Sequence, residues 1–186
     1  MSATVTAPSP LGSPTSSAAA AAPAATPPYV RRVDSPIGRL EVTSDGEAIT
    51  SLSIERAGHL PWEHLPEHST EVLDRAAVQL REYFAGERRD FDLPVTLRGT
   101  EFQRSVWARL SQLPFGGVQS YGEIGSATGR ATAGRAVGGA VGANPIPIIV
   151  PCHRVLGSDG RITGYSGGNG IPTKVWLLDH EGIAHK

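Results

Sequence analysis

From Tyr29 onward the apolar and polar positions follow two different periods. Tyr29–Val33 and Arg39–Thr43 alternate loosely about Ser35-Pro-Ile-Gly38, a turn-forming tetrapeptide, and read as a β-hairpin. Asp45-Gly46 is a second turn signal, and apolar residues at 48, 52 and 54 mark a third strand over Ala48–Ile54. Three antiparallel strands are therefore expected. Residues 58–70, rich in His, Pro and Glu, read as loop. The period then changes. Val72, Leu73, Ala76, Leu80 and Tyr83 recur at helical spacing, and Gly86 closes that helix.

The second half is patterned as short helices. Thr100 with Gln103 three residues on forms a capping box, and Phe102, Val106, Leu110 and Leu113 mark one face, ended by Pro114 and Gly116-Gly117. Ser120 caps a shorter helix that runs to Ala127 and stops at Gly129. A further helix from about Thr132 to Gly142 would complete a helix-turn-helix. That segment, Ala133-Gly-Arg-Ala-Val-Gly-Gly-Ala-Val-Gly142, is unusual, because each interior Gly costs roughly 1 kcal/mol against Ala. A Gly-rich loop fits it as well as a helix pressed bare against a ligand or a backbone. Beyond it, Pro145 and Pro147 exclude helix, Ile148–Val150 is a short run that should be buried, and Trp176–Glu181 ends an amphipathic stretch.

Composition sharpens this picture in three places. In residues 1–28, Ala, Pro, Ser and Thr fill 24 positions, which is too little apolar surface to offset ordering, so a disordered tail is expected. It has neither the basic start nor the continuous apolar run of a signal peptide, and no stretch of the chain approaches a membrane span. One Cys excludes an intramolecular disulfide and any Cys-cluster zinc site, and His59, His64 and His68, scattered over a loop, read as solvated rather than metal-binding. The formal charge of −1 argues at face value against a nucleic-acid binder. It is an average, however. Residues 29–97 carry eight Arg against thirteen Asp or Glu, a net of −5, and residues 98–186 carry nine Lys or Arg against five acids, a net of +4. The basic half, which also holds 17 of the 22 glycines, is the half that suits an anionic partner.

The candidate chemistry is one thiol. A lone cysteine is more often a small buried core residue than a nucleophile. Cys152 stands in Val150-Pro-Cys-His-Arg-Val155, and a thiol pKa falls beside His or Arg. Neighbours in a strand point to opposite faces, so His153 can serve Cys152 only if the chain turns there or a water bridges them. A Cys–His pair usually has a third group that orients the imidazole, and Glu181 is the candidate; by itself it reads equally as a surface carboxylate. Gly164-Tyr-Ser-Gly-Gly168 is a small-residue loop of the kind that lets a planar ligand lie against backbone.

These residues resemble a known family. Pro-Cys-His-Arg at 151–154, with Arg135-Ala-Val-Gly-Gly and Asn144-Pro before it and Gly164–Gly168 and Leu-Leu-x-His-Glu181 after it, is similar to the O6-alkylguanine-DNA alkyltransferases. Gly99-Thr-Glu-Phe-Gln103, Val106-Trp107, Ser120-Tyr121 and Tyr83-Phe-Ala-Gly86 match as well, so the resemblance covers about residues 29–183. It implies an α/β (α+β) fold: a small ribonuclease-H-like sheet-plus-helix domain over 29–97, then a mainly helical DNA-binding and alkyl-acceptor domain over 98–186. It implies a monomer, cytoplasmic or nuclear, that binds the minor groove of double-stranded DNA and flips O6-alkylguanine out of the stack. The alkyl group then passes irreversibly to Cys152, with no cofactor and no metal. Under the resemblance His153 is the base acting through water and Glu181 orients it. Tyr121 crowds the target phosphate and protonates the leaving guanine. Arg135 fills the gap left by the base, and Ala136, Gly138 and Gly139 form the bare groove-entering surface. Asn144 ties that helix to the cysteine loop. Tyr165 and Ser166 line the base pocket, Ser166 hydrogen-bonding O6 through its hydroxyl or backbone N–H, and the carbonyls of Cys152 and Val155 read the exocyclic amine.

Two departures stand out. Val141-Gly142 replaces an Asn-Gly often found there, and Asn169-Gly-Ile-Pro172 is about two residues longer than usual, which bears on how that loop lines the pocket. Two other readings compete. A non-catalytic damage sensor would flip the base without transfer, and a Cys-His-Glu hydrolase would turn over esters and ignore DNA.

Overall fold

The computed structural model describes residues 26–130 and 134–186. Almost all of the Ala/Pro-rich tail, and the proposed start of the Gly-rich helix at Thr132, lie outside the described residues.

The expected three strands form: β1 (Tyr29–Val33), β2 (Leu40–Ser44) and β3 (Ile49–Ile54), antiparallel in the order β1-β2-β3. Tyr29 pairs with Ser44 and Val33 with Leu40, and the β2–β3 register slips at Thr43/Ser44. Helix α1 (Glu71–Phe84) starts at Thr70, whose hydroxyl accepts the Leu73 amide, and lays Leu73, Ala76, Leu80 and Tyr83 toward the sheet. β2 is buried along its whole length, including Glu41. Arg32 satisfies that carboxylate at 3.0 Å, and Glu41 in turn accepts the Trp62 amide at 2.8 Å. The His- and Pro-rich loop is thus pinned over the sheet. Its His68 backbone pairs with Val30, and among the described residues no His, Cys, Asp or Glu cluster could hold a metal ion.

The second half carries α2 (Glu101–Leu110), α3 (Tyr121–Ala127), α4 (Gly134–Gly142) and α5 (Ile171–His180). Both foreseen caps close as expected; Ser120 and Glu123 form a second capping box. α2 ends one turn earlier than its apolar face predicts, and Leu113 stays buried in the turn that follows. The Gly-rich segment is helix from Gly134. Its apolar side, Val137, Ala140 and Val141, is buried, and the Trp107 indole donates to the Ala140 carbonyl at 2.8 Å. Gly125 permits the chain to fold back tightly after α3, since a Cβ there would sit 2.9 Å from the Arg130 carbonyl oxygen and 3.4 Å from the Val137 side chain of α4.

One element has no sequence signal. β4 (Gln119–Ser120) and β5 (Val155–Leu156) form a two-residue parallel pair. This pair joins the start of α3 to the residue that follows the Cys-His-Arg turn, so Tyr121 and Cys152 are set from the same short ladder. One hydrophobic core runs through both halves, from Leu40 and Leu73 to Ile124, Val150 and Leu177.

Candidate active site

The cysteine loop is built by turns. Pro145 and Pro147 keep the chain out of helix, and Ile148, buried, sits at φ +74°, a strained conformation for a β-branched residue. Pro151, at φ −81° and ψ 67°, is the centre of an inverse γ-turn in which the Cys152 amide donates to the Val150 carbonyl at 2.8 Å. A single 3₁₀ turn over Cys152–Arg154 follows. The chain therefore turns where a Cys–His pairing requires it. Asn144, just past α4, donates from Nδ2 to the same Val150 carbonyl at 2.7 Å and accepts the Ile146 amide at 3.1 Å. The asparagine clamps the γ-turn that aims the thiol.

Cys152 opens onto a cavity of about 390 Å³ lined also by Tyr121, Gly134, Gly138, Val141, Gly142 and the 163–166 loop with Tyr165 and Ser166. Three separate sequence features, the thiol, the Gly-rich helix and the small-residue loop, share this one wall. A Cβ added at Gly134, Gly138, Gly139 or Gly142 would meet nothing within 4 Å. The bare face of α4 is not used for packing inside the protein. It is open, with exposed Arg135, Ala136 and Gly139 along it.

Behind the cavity lies a buried polar array. His153 Nε2 is 2.8 Å from Glu181 Oε1, and both side chains are fully buried. Arg154 donates from Nε to Glu181 Oε2 at 2.7 Å and from Nη2 to Oε1 at 2.9 Å. Tyr83, from α1, donates to Oε1 at 2.8 Å, and the Gly116 amide donates to Oε2 at 3.3 Å. Burial pushes the Glu181 carboxyl up, but the hydrogen bonds and charges of His153 and Arg154 outweigh it and hold the group well below the usual carboxylate range. Burial holds His153 below its ordinary value against the pull of Glu181, so the imidazole is neutral at pH 7. Its Nδ1 is buried and has no partner among the described residues. With Nε2 on Glu181, Nδ1 is the ring nitrogen left to accept a proton.

The expectation of a thiol acidified by its His and Arg neighbours is corrected here. Burial pushes the Cys152 thiol up, opposed by Asn144 and the Lys174 charge. Arg154 spends its guanidinium on Glu181 and on the Leu113 carbonyl.

Other placements differ from the sequence reading. Ser166 donates to the Gly142 carbonyl at 2.8 Å, which ties the small-residue loop to the end of α4. Val155 is buried behind the cavity, and its carbonyl accepts the Lys174 ammonium at 2.6 Å. Asn144 lines a neighbouring hollow while its side chain also acts on the thiol. The long 169–172 loop does not reach the thiol. Asn169 and Pro172 line a separate hollow against Gly38, Glu55 and Ala57, and Pro172 sits in the first turn of α5.

Tyr83 and Lys174 lie outside the site that the motif marks out, and Arg154, expected to act on the thiol, serves Glu181 instead. Lys174 was detectable: it falls three and four residues before Leu177 and Leu178, on the buried face of α5. Burial pulls its ammonium down to about 8. Tyr83 showed only as an apolar position of a helix and as the start of the Tyr83-Phe-Ala-Gly86 match, neither of which assigns it a partner.

Fold and site together define a helix-turn-helix protein with a buried acceptor thiol, joined to a small sheet domain. Comparison with known proteins gives the rest. Residues 29–97 match the family model of the 6-O-methylguanine DNA methyltransferase ribonuclease-like domain, and residues 101–183 match that of the DNA-binding domain. The chain is 45% identical over 153 residues to the methylated-DNA–protein-cysteine methyltransferase of Mycobacterium bovis, covering 82% of this chain and 92% of that one. It is 39% identical over 162 residues to the constitutive enzyme of that name from Bacillus subtilis, covering 85% and 98%. Among solved structures, the O6-methylguanine methyltransferase of Mycobacterium tuberculosis superposes with a TM-score of 0.73 at 44% identity, covering 82% of this chain and 92% of that one. Mycobacterium tuberculosis OGT in complex with DNA gives 0.72 at 45% identity over the same shares. The chain belongs to the 6-O-methylguanine DNA methyltransferase family.

Proposed function

We propose that this protein repairs DNA by direct reversal, moving the alkyl group of O6-alkylguanine onto Cys152 once per molecule. The observation that carries this reading is the shared wall of one cavity: a thiol, a tyrosine and the bare face of a helix-turn-helix second helix. The O6 atom of stacked guanine is unreachable, so the base must leave the duplex, at a few kcal/mol. A minor groove about 6 Å wide admits a helix only where that helix lacks side chains. The open glycine face of α4 meets this condition. Arg135 fills the vacated stack, a role its planar guanidinium suits. Residues 29–97 form the scaffold domain and 98–186 the DNA-binding and acceptor domain. The protein acts as a monomer in the cytoplasm, or in the nucleus of a eukaryotic source.

In the transfer step the Cys152 sulfur attacks the saturated carbon on O6 and the C–O bond breaks. The electron pair goes to the guanine, which takes a proton at N3 from the Tyr121 hydroxyl. The thiol proton passes through a water to His153 Nδ1, and Glu181 holds the imidazole from the other side. Tyr121 regains a proton from water as His153 releases one, and the N3 proton exchanges to N1, so the products are S-alkylcysteine and unmodified guanine. Tyr165 shapes the base pocket with Ser166 at its rim, and Val155 backs it from behind, its carbonyl held by Lys174.

The test is an intact mass after incubation with duplex DNA bearing O6-methylguanine. One methyl group per chain is expected, none on Cys152→Ala. Absence of the adduct with an intact fold, or its persistence in Cys152→Ala, overturns the reading. Repeated turnover of an ester without DNA would favour a hydrolase instead.

A further inference from the structure

We infer that Tyr83, contributed by helix α1 of the sheet domain, is a positioning residue for the transfer reaction: its hydroxyl shares Glu181 Oε1 with His153 and so limits how strongly the carboxylate holds the base. The inference rests on the alkyl-transfer reading above, and it gives the sheet domain a chemical part in the site.

The geometry is specific. Tyr83 is fully buried and lies 98 positions from Glu181 in sequence, yet its hydroxyl reaches Oε1 at 2.8 Å. His153 Nε2 and Arg154 Nη2 meet the same oxygen, at 2.8 and 2.9 Å. The phenol is fixed around its ring. Phe84, Phe91 and His180 stand at centroid distances of 5.2, 5.5 and 5.0 Å, and His180 Nε2 contacts the Tyr83 carbonyl at 2.7 Å. Because burial and the adjacent Glu181 charge push the phenol far above its ordinary value, Tyr83 remains a donor at every working pH. Each donor on Oε1 draws charge from the bond to His153. With fewer donors the carboxylate stabilises the imidazolium more, and His153 becomes more basic. The charged and titratable groups that face this pair are Arg154 and Lys174, with Tyr83 from α1, and His180 of α5 and Tyr165 beside Tyr83. Of these, Tyr83 is the one supplied by the sheet domain.

The test is the pH profile of the single-turnover rate with O6-methylguanine duplex, in the full chain. The rate rises with pH as His153 loses its proton. In Tyr83→Phe the midpoint of that acid limb should move up by about 0.5–1 unit, which is a roughly three- to tenfold loss of rate well below the midpoint. The plateau rate should change little. Placing 3-fluorotyrosine at position 83, a stronger donor of the same shape, should move the midpoint down, and this second variant keeps the idea testable if the first folds poorly. A purely structural tyrosine would lower the melting temperature, or scale the rate equally at every pH. Midpoints unmoved in both variants would overturn the inference. Methylation of Cys152 at plateau pH in those same samples would show that the transfer reading itself stands.

Discussion

The bare face of α4 sets up an opposition between stability and function that two small substitutions can expose. None of the four α4 glycines has a positive φ, so each could be alanine without backbone strain. A Cβ at Gly138 or Gly139 meets nothing within 4 Å. Glycine inside a helix is unfavourable by roughly 0.5–1 kcal/mol relative to alanine. Gly138→Ala with Gly139→Ala should therefore stabilise the free protein by about 1–2 kcal/mol. At about 2–4 °C per kcal/mol for a chain of this size, the melting temperature should rise by roughly 2–8 °C. Binding should move the other way. If α4 seats its bare face in a groove about 6 Å wide, added methyl groups meet DNA, and overpacking of this kind typically costs about 1–3 kcal/mol. That is roughly a five- to 150-fold loss of affinity for an O6-methylguanine duplex.

Thermal denaturation followed by circular dichroism gives the first quantity, and fluorescence anisotropy with labelled duplex gives the second. Gly138 lines the thiol cavity and Gly139 does not. The single change Gly139→Ala should therefore leave transfer from free O6-benzylguanine intact while weakening the reaction on duplex. A melting temperature lowered by the double substitution would mean that the glycines serve packing after all. Unchanged duplex affinity would mean that α4 does not enter DNA by this face. Either result refutes the argument.

Two further substitutions probe the buried charges. Glu181→Gln leaves the Arg154 guanidinium buried without its carboxylate, and loss of one partner from a buried pair typically costs about 3–5 kcal/mol, measurable by urea denaturation. Because the folded-state values of Glu181 and His153 both lie below their ordinary ones, their contributions are full above pH 4.5 and 6.5 respectively and are lost as the pH falls. The parent should weaken on acidification through both windows, and Glu181→Gln should lack the lower one; parallel curves would refute the assignment. Lys174, held down to about 8 from 10.5, loses its proton earlier in the folded protein, so the parent should gain stability relative to Lys174→Met between those two values. The difference between the two denaturation series cancels the opposing high-pH terms from Cys152 and the tyrosines, and a flat difference would count against a buried ammonium.

What could be read from the sequence, and what could not, divides along the range of the interactions involved. Strands, caps and α1 were legible because alternation, Thr100/Gln103, Ser120 and Gly86 act within a few residues of themselves. The state of the Gly-rich segment was not, because local propensity opposes helix there. Helix is imposed from outside, by burial of Val137, Ala140 and Val141 and by the Trp107 indole on the Ala140 carbonyl. Cys152 and Glu181 could be proposed from a motif, but the chemistry assigned to Arg154 by adjacency was reversed by the fold. Its guanidinium turns away from the thiol to neutralise a carboxylate 27 residues on, and burial then leaves the thiol harder to ionise. Nor could any spacing rule place Tyr83 on Glu181 Oε1, since that contact crosses 98 positions and depends on two halves sharing one core. The same fact says where the reactivity of Cys152 is set. The motif supplies the sulfur and the imidazole, while the field around them comes from a helix of the opposite domain, a lysine on α5 and a clamp at Asn144. The motif is therefore insufficient by itself, and a transplanted Pro-Cys-His-Arg loop without those supports should hold a thiol that does not transfer alkyl groups.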